Sequence, residues 1–174
     1  TRQDGKQFFI RIHTYFIGML VIAALLLSLF SREVLMIFAR NQAYYAAALF
    51  VPLLSLTFVF KGMQYLYSLA FHYVKKTRYN AVIVFGGVAL NFLLNFILIP
   101  RYGIWGAAIA TVISSMSLAA AFYIVSQSFY AVRYKVGTIG GMLVLAVAVL
   151  LLSIRMQVAS PYLSILIKLS LALL

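Results

Sequence analysis

The chain has 174 residues, of which 66% are hydrophobic and 9% are charged, with a net charge of +12 and no cysteine. Soluble domains contain about 25% charged residues, so the composition excludes an ordinary soluble domain. The only acids are Asp4 and Glu33, and with two histidines they are too few for hydrolytic or metal-dependent catalysis. The absence of cysteine excludes disulfides, thiol chemistry and thiolate metal sites.

The apolar residues fall in runs of about 20, the length of helix that crosses a ~30 Å hydrocarbon layer. Most of the cations lie in the short segments between these runs, which favours orientation in a membrane over binding to nucleic acid. The sequence therefore predicts an all-α, polytopic transmembrane helix bundle of about six spans. We expect no enzymatic activity, no metal and no cofactor.

Six apolar runs define the predicted spans, in chain order residues 12–30, 44–72, 79–99, 104–127, 138–154 and 161–174. The first is too long for the apolar region of a signal peptide, so we expect it to remain in the protein. The second exceeds the hydrocarbon thickness and is expected to tilt, to bend near Gly62 or to extend past the membrane surface. Pro52 lacks an N–H and is expected to loosen the start of this helix. Because the chain has no initiator methionine and stops within an apolar run, we interpret it as a fragment.

Basic residues are distributed unevenly between the predicted loops. Under the six-span topology, the N-terminal tail and the second and fourth loops carry eight lysines and arginines, against four on the opposite side. The positive-inside rule therefore predicts that both ends of the chain are cytoplasmic.

Lys61 lies in the middle of the second predicted span, where a cation costs at least ~2.5–3.5 kcal/mol to insert. Its side chain either extends along its stem to the membrane interface or faces a polar cavity. Polar residues on the same helix face, at intervals of three or four, favour the cavity. These are Thr57, Lys61, Gln64, Tyr65, Ser68 and His72. No predicted span contains a carboxylate, so an anionic ligand or a part of the protein beyond this chain would partner Lys61.

The third and fourth predicted spans carry small and polar residues at helical spacing. Gly87, Asn91 and Asn95 share one face of the third span, where the asparagines either bond neighbouring helices or line a cavity. The small residues at positions 103, 106, 107, 110 and 114 predict close packing of the fourth span. Pro100 is expected to close the third span and begin a tight turn. Lys168 in the last span is a further candidate for an inward-facing cation.

Residues 91–115, NFLLNFILIPRYGIWGAAIATVISS, resemble the C-terminal signature of polysaccharide flippases in the multidrug/oligosaccharidyl-lipid/polysaccharide exporter superfamily. That signature reads N-x-x-x-N-x-x-L-I-P-x-Y-G-x-x-G-A-A-x-A-T. The matching positions are Asn91, Asn95, Leu98, Ile99, Pro100, Tyr102, Gly103, Gly106, Ala107, Ala108, Ala110 and Thr111. Residues 31–54 are similar to the hairpin that follows the ninth helix of the family, with Arg40 in place of the usual glycine region. The resemblance covers residues 20–127, and the last two spans match only in placement.

The resemblance implies a MATE-like fold of two six-helix lobes around a central cavity, often with two additional C-terminal helices. Residues 1–127 would then belong to the C-terminal lobe and residues 128–174 would form the additional helices, while the N-terminal lobe would lie outside this chain. In such flippases a cationic cavity receives the diphosphate and sugars of an undecaprenyl-linked oligosaccharide. The resemblance makes Lys61 the candidate for the diphosphate. The candidates for hydrogen bonds to the sugars are Thr57, Gln64, Asn91 and Asn95.

The function implied by the resemblance is the flipping of an undecaprenyl-diphosphate-linked oligosaccharide from the cytoplasmic to the outer leaflet of the inner (plasma) membrane, for surface polysaccharide or lipopolysaccharide biosynthesis. The implied partners are that lipid-linked oligosaccharide, membrane lipid, the missing lobe, and the polysaccharide polymerase and ligase machinery. Two alternatives stay open. A cation-coupled multidrug exporter of the same superfamily would need intramembrane carboxylates. A membrane-embedded glycosyl- or acyltransferase would need clustered acids or histidines near a membrane face.

Overall fold

The computed structural model describes residues 2–38, 48–129 and 136–159, and these ranges contain helices and no strand. The all-helical fold class is therefore confirmed for the described residues. The helices are α1 (Arg2–Leu29), α2 (Ser31–Phe38), α3 (Val51–Tyr73), α4 (Thr77–Tyr102), α5 (Ile104–Phe129) and α6 (Val136–Ala159). The last predicted span with Lys168, and residues 44–47 of the second, lie outside the described residues.

Three helical segments are long and apolar enough to cross a membrane, namely Ile10–Leu29 within α1, Thr77–Tyr102 and Ile104–Phe129. They correspond to the first, third and fourth predicted spans. The 26 residues of α4 extend about 39 Å at 1.5 Å per residue, which exceeds the hydrocarbon thickness. The α3 helix is not among the three, because its polar residues lower its hydropathy, and the searched part of α6 is the shorter apolar stretch Gly137–Leu151. Among the described residues, three of the predicted spans are therefore helices long and apolar enough to cross a membrane, and the sixth predicted span lies outside these residues.

The α3 helix begins later than the predicted second span and is continuous. Its first residue is Val51, and Pro52 lies in the first turn, where a missing N–H removes no intrahelical hydrogen bond. Pro52 therefore helps to start the helix, and the expectation that it loosens the helix is wrong. The helix also runs without interruption through Gly62, where a Cβ atom would collide with Leu20 of α1. Gly62 allows α1 and α3 to approach each other closely.

The turn between α4 and α5 is shorter than predicted. The α4 helix continues through Pro100, which lies near its C-terminal end and lacks the N–H for one intrahelical hydrogen bond. Gly103 alone connects the helices, with a φ of 55° in the left-handed region that favours glycine. Its N–H donates to the carbonyl oxygen of Ile99 at 2.8 Å. The prediction that Pro100 closes the third span is therefore wrong, although a tight turn does follow.

The α4 and α5 helices form an antiparallel hairpin. A Cβ atom on Gly106 of α5 would collide with the backbone carbonyl of Leu98, so the small residue at this position permits close helix contact, as predicted. Further from the turn, Asn91 bonds to Ser114, and contacts between the helices continue towards their far ends. These pairs fix the register in which polar residues of the two helices face each other.

The core is formed mainly by α1, α3, α5 and α6, with α3 at the centre. The α1 and α3 helices are antiparallel, since the hydroxyls of Ser28 and Ser55 lie 2.8 Å apart at one end and His13 stacks near Tyr67 at the other. By contrast, α4 has no fully buried residue. Its outer face carries exposed aromatic side chains such as Phe92, which is 74% exposed. The α4 helix therefore forms one wall of the bundle by itself and packs mainly against α5.

Candidate functional site

A polar cavity of about 300 Å³ lies between α3, α4 and α5. Each helix contributes polar side chains, and apolar side chains of α4 and α5 complete the walls. The polar residues that line it are Lys61, Gln64, Asn91, Thr111, Ser114 and Ser115. Concave sites with a few convergent polar groups are typical ligand-binding sites, so we take this cavity as the candidate functional site.

Helical periodicity explains why these residues meet. Lys61 and Gln64 are three residues apart on α3 and therefore share a face. On α5, Ser114 and Ser115 are three and four residues after Thr111, so all three project to one side. The hairpin register then places this side of α5 opposite Asn91.

Hydrogen bonds hold the cavity walls together. The Gln64 side-chain amide donates to the backbone carbonyl of Ser115 at 2.9 Å and so links α3 to α5. The Asn91 amide donates to the Ser114 hydroxyl at 2.8 Å and links α4 to α5, while that hydroxyl donates to the carbonyl of Thr111. Asn91 thus both bonds a neighbouring helix and lines the cavity. An amide has two N–H donors, so Gln64 and Asn91 each keep one donor beyond these bonds.

Lys61 supplies the charge of the site. Its side chain is exposed at the cavity wall, with Nζ 5.7 Å from the centre of the Phe58 ring. The only acids of the chain, Asp4 and Glu33, lie outside α3, α4 and α5, so these walls contain a cation and no carboxylate. The site is therefore suited electrostatically to an anionic ligand.

Two of the predicted site residues do not line the cavity. Thr57 is buried, and its hydroxyl donates to the carbonyl of Leu54 in its own helix at 2.6 Å. Asn95 lies one turn from Asn91 and donates to the Asn91 side-chain oxygen at 3.0 Å. Asn95 therefore fixes the orientation of the Asn91 amide from outside the cavity wall.

The predicted polar face of α3 is divided among different environments. Lys61 and Gln64 reach the cavity, whereas the Ser68 hydroxyl bonds to the carbonyl of Tyr65 within the helix. His72 is exposed in the last turn of α3. Hydroxyls commonly bond to carbonyls three or four residues earlier, so helical spacing alone does not identify which polar residues face a cavity.

Sequence reasoning misses the polar contribution of α5. It does not single out Thr111 and Ser115 as site residues, and it treats Ser114 only as a small packing residue. The available signal is the polar spacing in TVISS within an otherwise apolar helix. Its meaning depends on the α4–α5 register, which brings Ser114 to Asn91.

The chemistry of the polar cavity is that of hydrogen-bond donors and one cation. Within the described ranges, no group of three or more His, Cys, Asp or Glu side chains is placed to hold a metal ion. Ammonium, amide and hydroxyl groups together complement phosphate oxygens and sugar hydroxyls.

A second cavity, of about 470 Å³, lies between α3, α5 and α6. Its lining is almost entirely apolar and includes Phe60, Met63 and Tyr67 from α3. It has no lysine, asparagine or glutamine in its lining, so it lacks the donors found in the polar cavity.

No protein-family model matches the chain, and comparisons with curated proteins and with solved structures give no match either. The resemblance to polysaccharide flippases therefore rests on the residues of the sequence.

Proposed function

We propose that this chain is part of a transporter that flips an undecaprenyl-diphosphate-linked oligosaccharide across the plasma membrane. The observation that carries the proposal is the polar cavity, in which Lys61 lies with Gln64 and Asn91 and without a carboxylate. Two of the three helices around it are long and apolar enough to cross a membrane. A cation at such a site usually faces a polar cavity or a partner and marks a transport pathway.

The proposed mechanism assigns separate roles to charge and to hydrogen bonding. Lys61 attracts the diphosphate, while the remaining donors of Gln64 and Asn91 bind sugar hydroxyls. Ser114 and Ser115 extend the polar surface on α5, and Asn95 supports binding through Asn91. The prenyl chain stays in the lipid. Rocking of two lobes then exposes the headgroup alternately to the two sides of the membrane.

The remainder of the proposed assembly follows from the resemblance. Residues 1–127 form part of the C-terminal lobe, residues 128–174 provide two additional helices, and an N-terminal lobe completes the cavity. Both ends of the chain are cytoplasmic in this arrangement, as the distribution of basic residues favours. The polysaccharide polymerase and ligase machinery would act after the flipped product.

Neither alternative has comparable support. A cation-coupled exporter would use an intramembrane carboxylate and attract cationic drugs, whereas the cavity walls carry Lys61 and no acid. A transferase would need a catalytic cluster, and His72 is an exposed residue outside the polar cavity.

The proposal is tested by headgroup translocation in proteoliposomes containing Lys61→Leu or Lys61→Arg. We expect the leucine variant to lose at least about tenfold in rate, equivalent to about 1.4 kcal/mol, because the charge is removed. The arginine variant should retain most of the activity, since it remains cationic.

Met63→Leu is the matched control, because Met63 lies two residues from Lys61 but lines the apolar cavity. It should remain within about twofold of the unmodified protein, as the swap nearly conserves volume. Equal activity of the leucine and arginine variants would remove Lys61 from the mechanism.

A further inference from the structure

Three helices meet in an aromatic cluster at the end of the bundle where α3 passes into α4. Phe129, the last residue of α5, lies with its ring centre 4.9 Å from that of Tyr79 in the first turn of α4. The Phe129 ring also packs against Phe71 of α3, with the ring centres 6.0 Å apart. These rings form a platform at the ends of α4 and α5, both of which are long and apolar enough to span a membrane.

Two cations lie on this platform. Lys76 Nζ is 4.4 Å from the centre of the Phe129 ring, and the Arg78 guanidinium is 5.2 Å from the centre of the Tyr79 ring. Both side chains are exposed, as is the neighbouring Lys75. Cation–π contacts of this kind hold a charge in place while leaving it accessible. We call Lys76, Arg78, Phe129 and Tyr79 the basic–aromatic patch.

The sequence offers this patch almost no carboxylate. No acid follows Glu33 in the chain, so α3, α4, α5 and the connecting turn cannot neutralise the cations. The antiparallel packing of α1 against α3 directs the N-terminal segment of α1 towards the same end, and that segment has one acid, Asp4, against three basic residues. The end of the bundle therefore carries an excess of positive charge.

We propose that the basic–aromatic patch binds the phosphodiester headgroup of an anionic phospholipid. Aromatic rings at the ends of membrane-spanning helices lie at headgroup depth, and adjacent lysines and arginines attract anionic headgroups there. The phosphate nearest to such a patch belongs to the surrounding leaflet, which favours lipid over a soluble anion. None of the patch residues lines the polar cavity, so this inference is independent of the proposed transport substrate.

The test is native mass spectrometry of the detergent-solubilised protein with phosphatidylglycerol or phosphatidylcholine of identical acyl chains. The unmodified protein should retain phosphatidylglycerol preferentially. The double variant Lys76→Gln/Arg78→Gln should bind it about tenfold more weakly and leave phosphatidylcholine binding unchanged. Unchanged binding of phosphatidylglycerol would overturn the proposal.

The matched control, Arg32→Gln/Arg101→Gln, removes the same charge at sites outside the patch and should change binding by less than about twofold. An equal loss in both double variants would show a diffuse charge effect and overturn the site. Displacement of the lipid by inorganic phosphate alone, or by polyglutamate alone, would assign the patch to a soluble anion or to an acidic protein and would also overturn the proposal.

Two further measurements apply even if the double variant does not fold. Phe129→Leu keeps every charge but removes the ring under Lys76, and we expect about threefold weaker phosphatidylglycerol binding. For the unmodified protein, raising the salt from about 50 to about 500 mM should weaken phosphatidylglycerol binding selectively. Insensitivity to both changes would contradict a headgroup site at these residues.

Discussion

The two cavities on either side of α5 differ in volume and have opposite chemistry. The cavity of about 300 Å³ is bounded by α4 and contains Lys61 and Gln64, whereas the cavity of about 470 Å³ is bounded by α6 and contains Phe60 and Met63. Both sets of residues come from one short segment of α3. The larger cavity has no charged or amide side chain in its lining, so volume alone does not identify the candidate site.

Residues 60–64 of α3 face three different neighbours, namely the polar cavity, the apolar cavity and α1. Consecutive residues differ by about 100° around the helix axis, so Phe60 and Met63 face one cavity while Lys61 and Gln64 face the other. Gly62, between them, contacts α1. A single-residue insertion before Phe60 would rotate the following residues by about 100° and turn Lys61 from the polar cavity towards α1, so the helical register of α3 is as important as its composition.

The largest expected effect is on stability, from a substitution at the contact between α5 and α4, the helix that forms the outer wall of the polar cavity. In Gly106→Val the new side chain would collide with the backbone carbonyl of Leu98, which cannot move aside as a side chain can. We expect a loss of about 2–3 kcal/mol in the free energy of unfolding, measured by thermal unfolding in detergent. Gly141→Val is the control, because a Cβ on Gly141 meets no atom within 4 Å. Equal destabilisation of both variants would contradict close α4–α5 packing.

Asn91→Leu is expected to have an intermediate effect, on both the α4–α5 contact and the polar cavity. It removes the bond to Ser114 and the acceptor for Asn95, so we expect about 1–2 kcal/mol of destabilisation together with reduced headgroup translocation. Phe92→Leu, at the exposed neighbouring position, should be nearly neutral. A double-mutant cycle with Ser114→Ala measures the coupling, and a coupling energy of zero would show that the bond does not contribute.

The smallest expected effect is a difference in stability between alanine substitutions at Gly86 and Gly87, two adjacent glycines of α4. A Cβ on Gly87 would collide with the side chain of Leu118 at the cavity wall, whereas a Cβ on Gly86 meets nothing within 4 Å. Gly86→Ala should therefore be stabilising by up to about 1 kcal/mol, because alanine favours the helix. Gly87→Ala should lose that gain, since Leu118 must move. Identical melting temperatures for the two variants would be inconsistent with this packing.

Much of the helical fold could be predicted from composition and periodicity, because apolar runs of sufficient length form helices in either a membrane or a core. The position of Lys61 and Gln64 on one face of α3 could also be predicted from helical spacing, and the cost of an isolated cation favoured a cavity there, whereas Asn91 became a candidate through the resemblance to flippases. Thr57 does not belong to this group, because its hydroxyl bonds within its own helix. The roles of Thr111 and Ser115 could not be predicted, since they depend on the register between α4 and α5. The continuation of α4 through Pro100 could not be predicted either, because proline ordinarily ends a helix.

The proposed function requires that Lys61 be accessible to water at the cavity between α3, α4 and α5, and cysteine labelling measures that accessibility. The chain has no cysteine, so a thiol introduced as Lys61→Cys is its only one. Phe92→Cys, on the exposed outer face of α4, is the matched control. With a charged, membrane-impermeant thiol reagent and the protein in vesicles, we expect Lys61→Cys to react at least about tenfold faster, because thiolate formation requires water. Equally slow labelling at both positions would contradict an aqueous cavity beside residue 61.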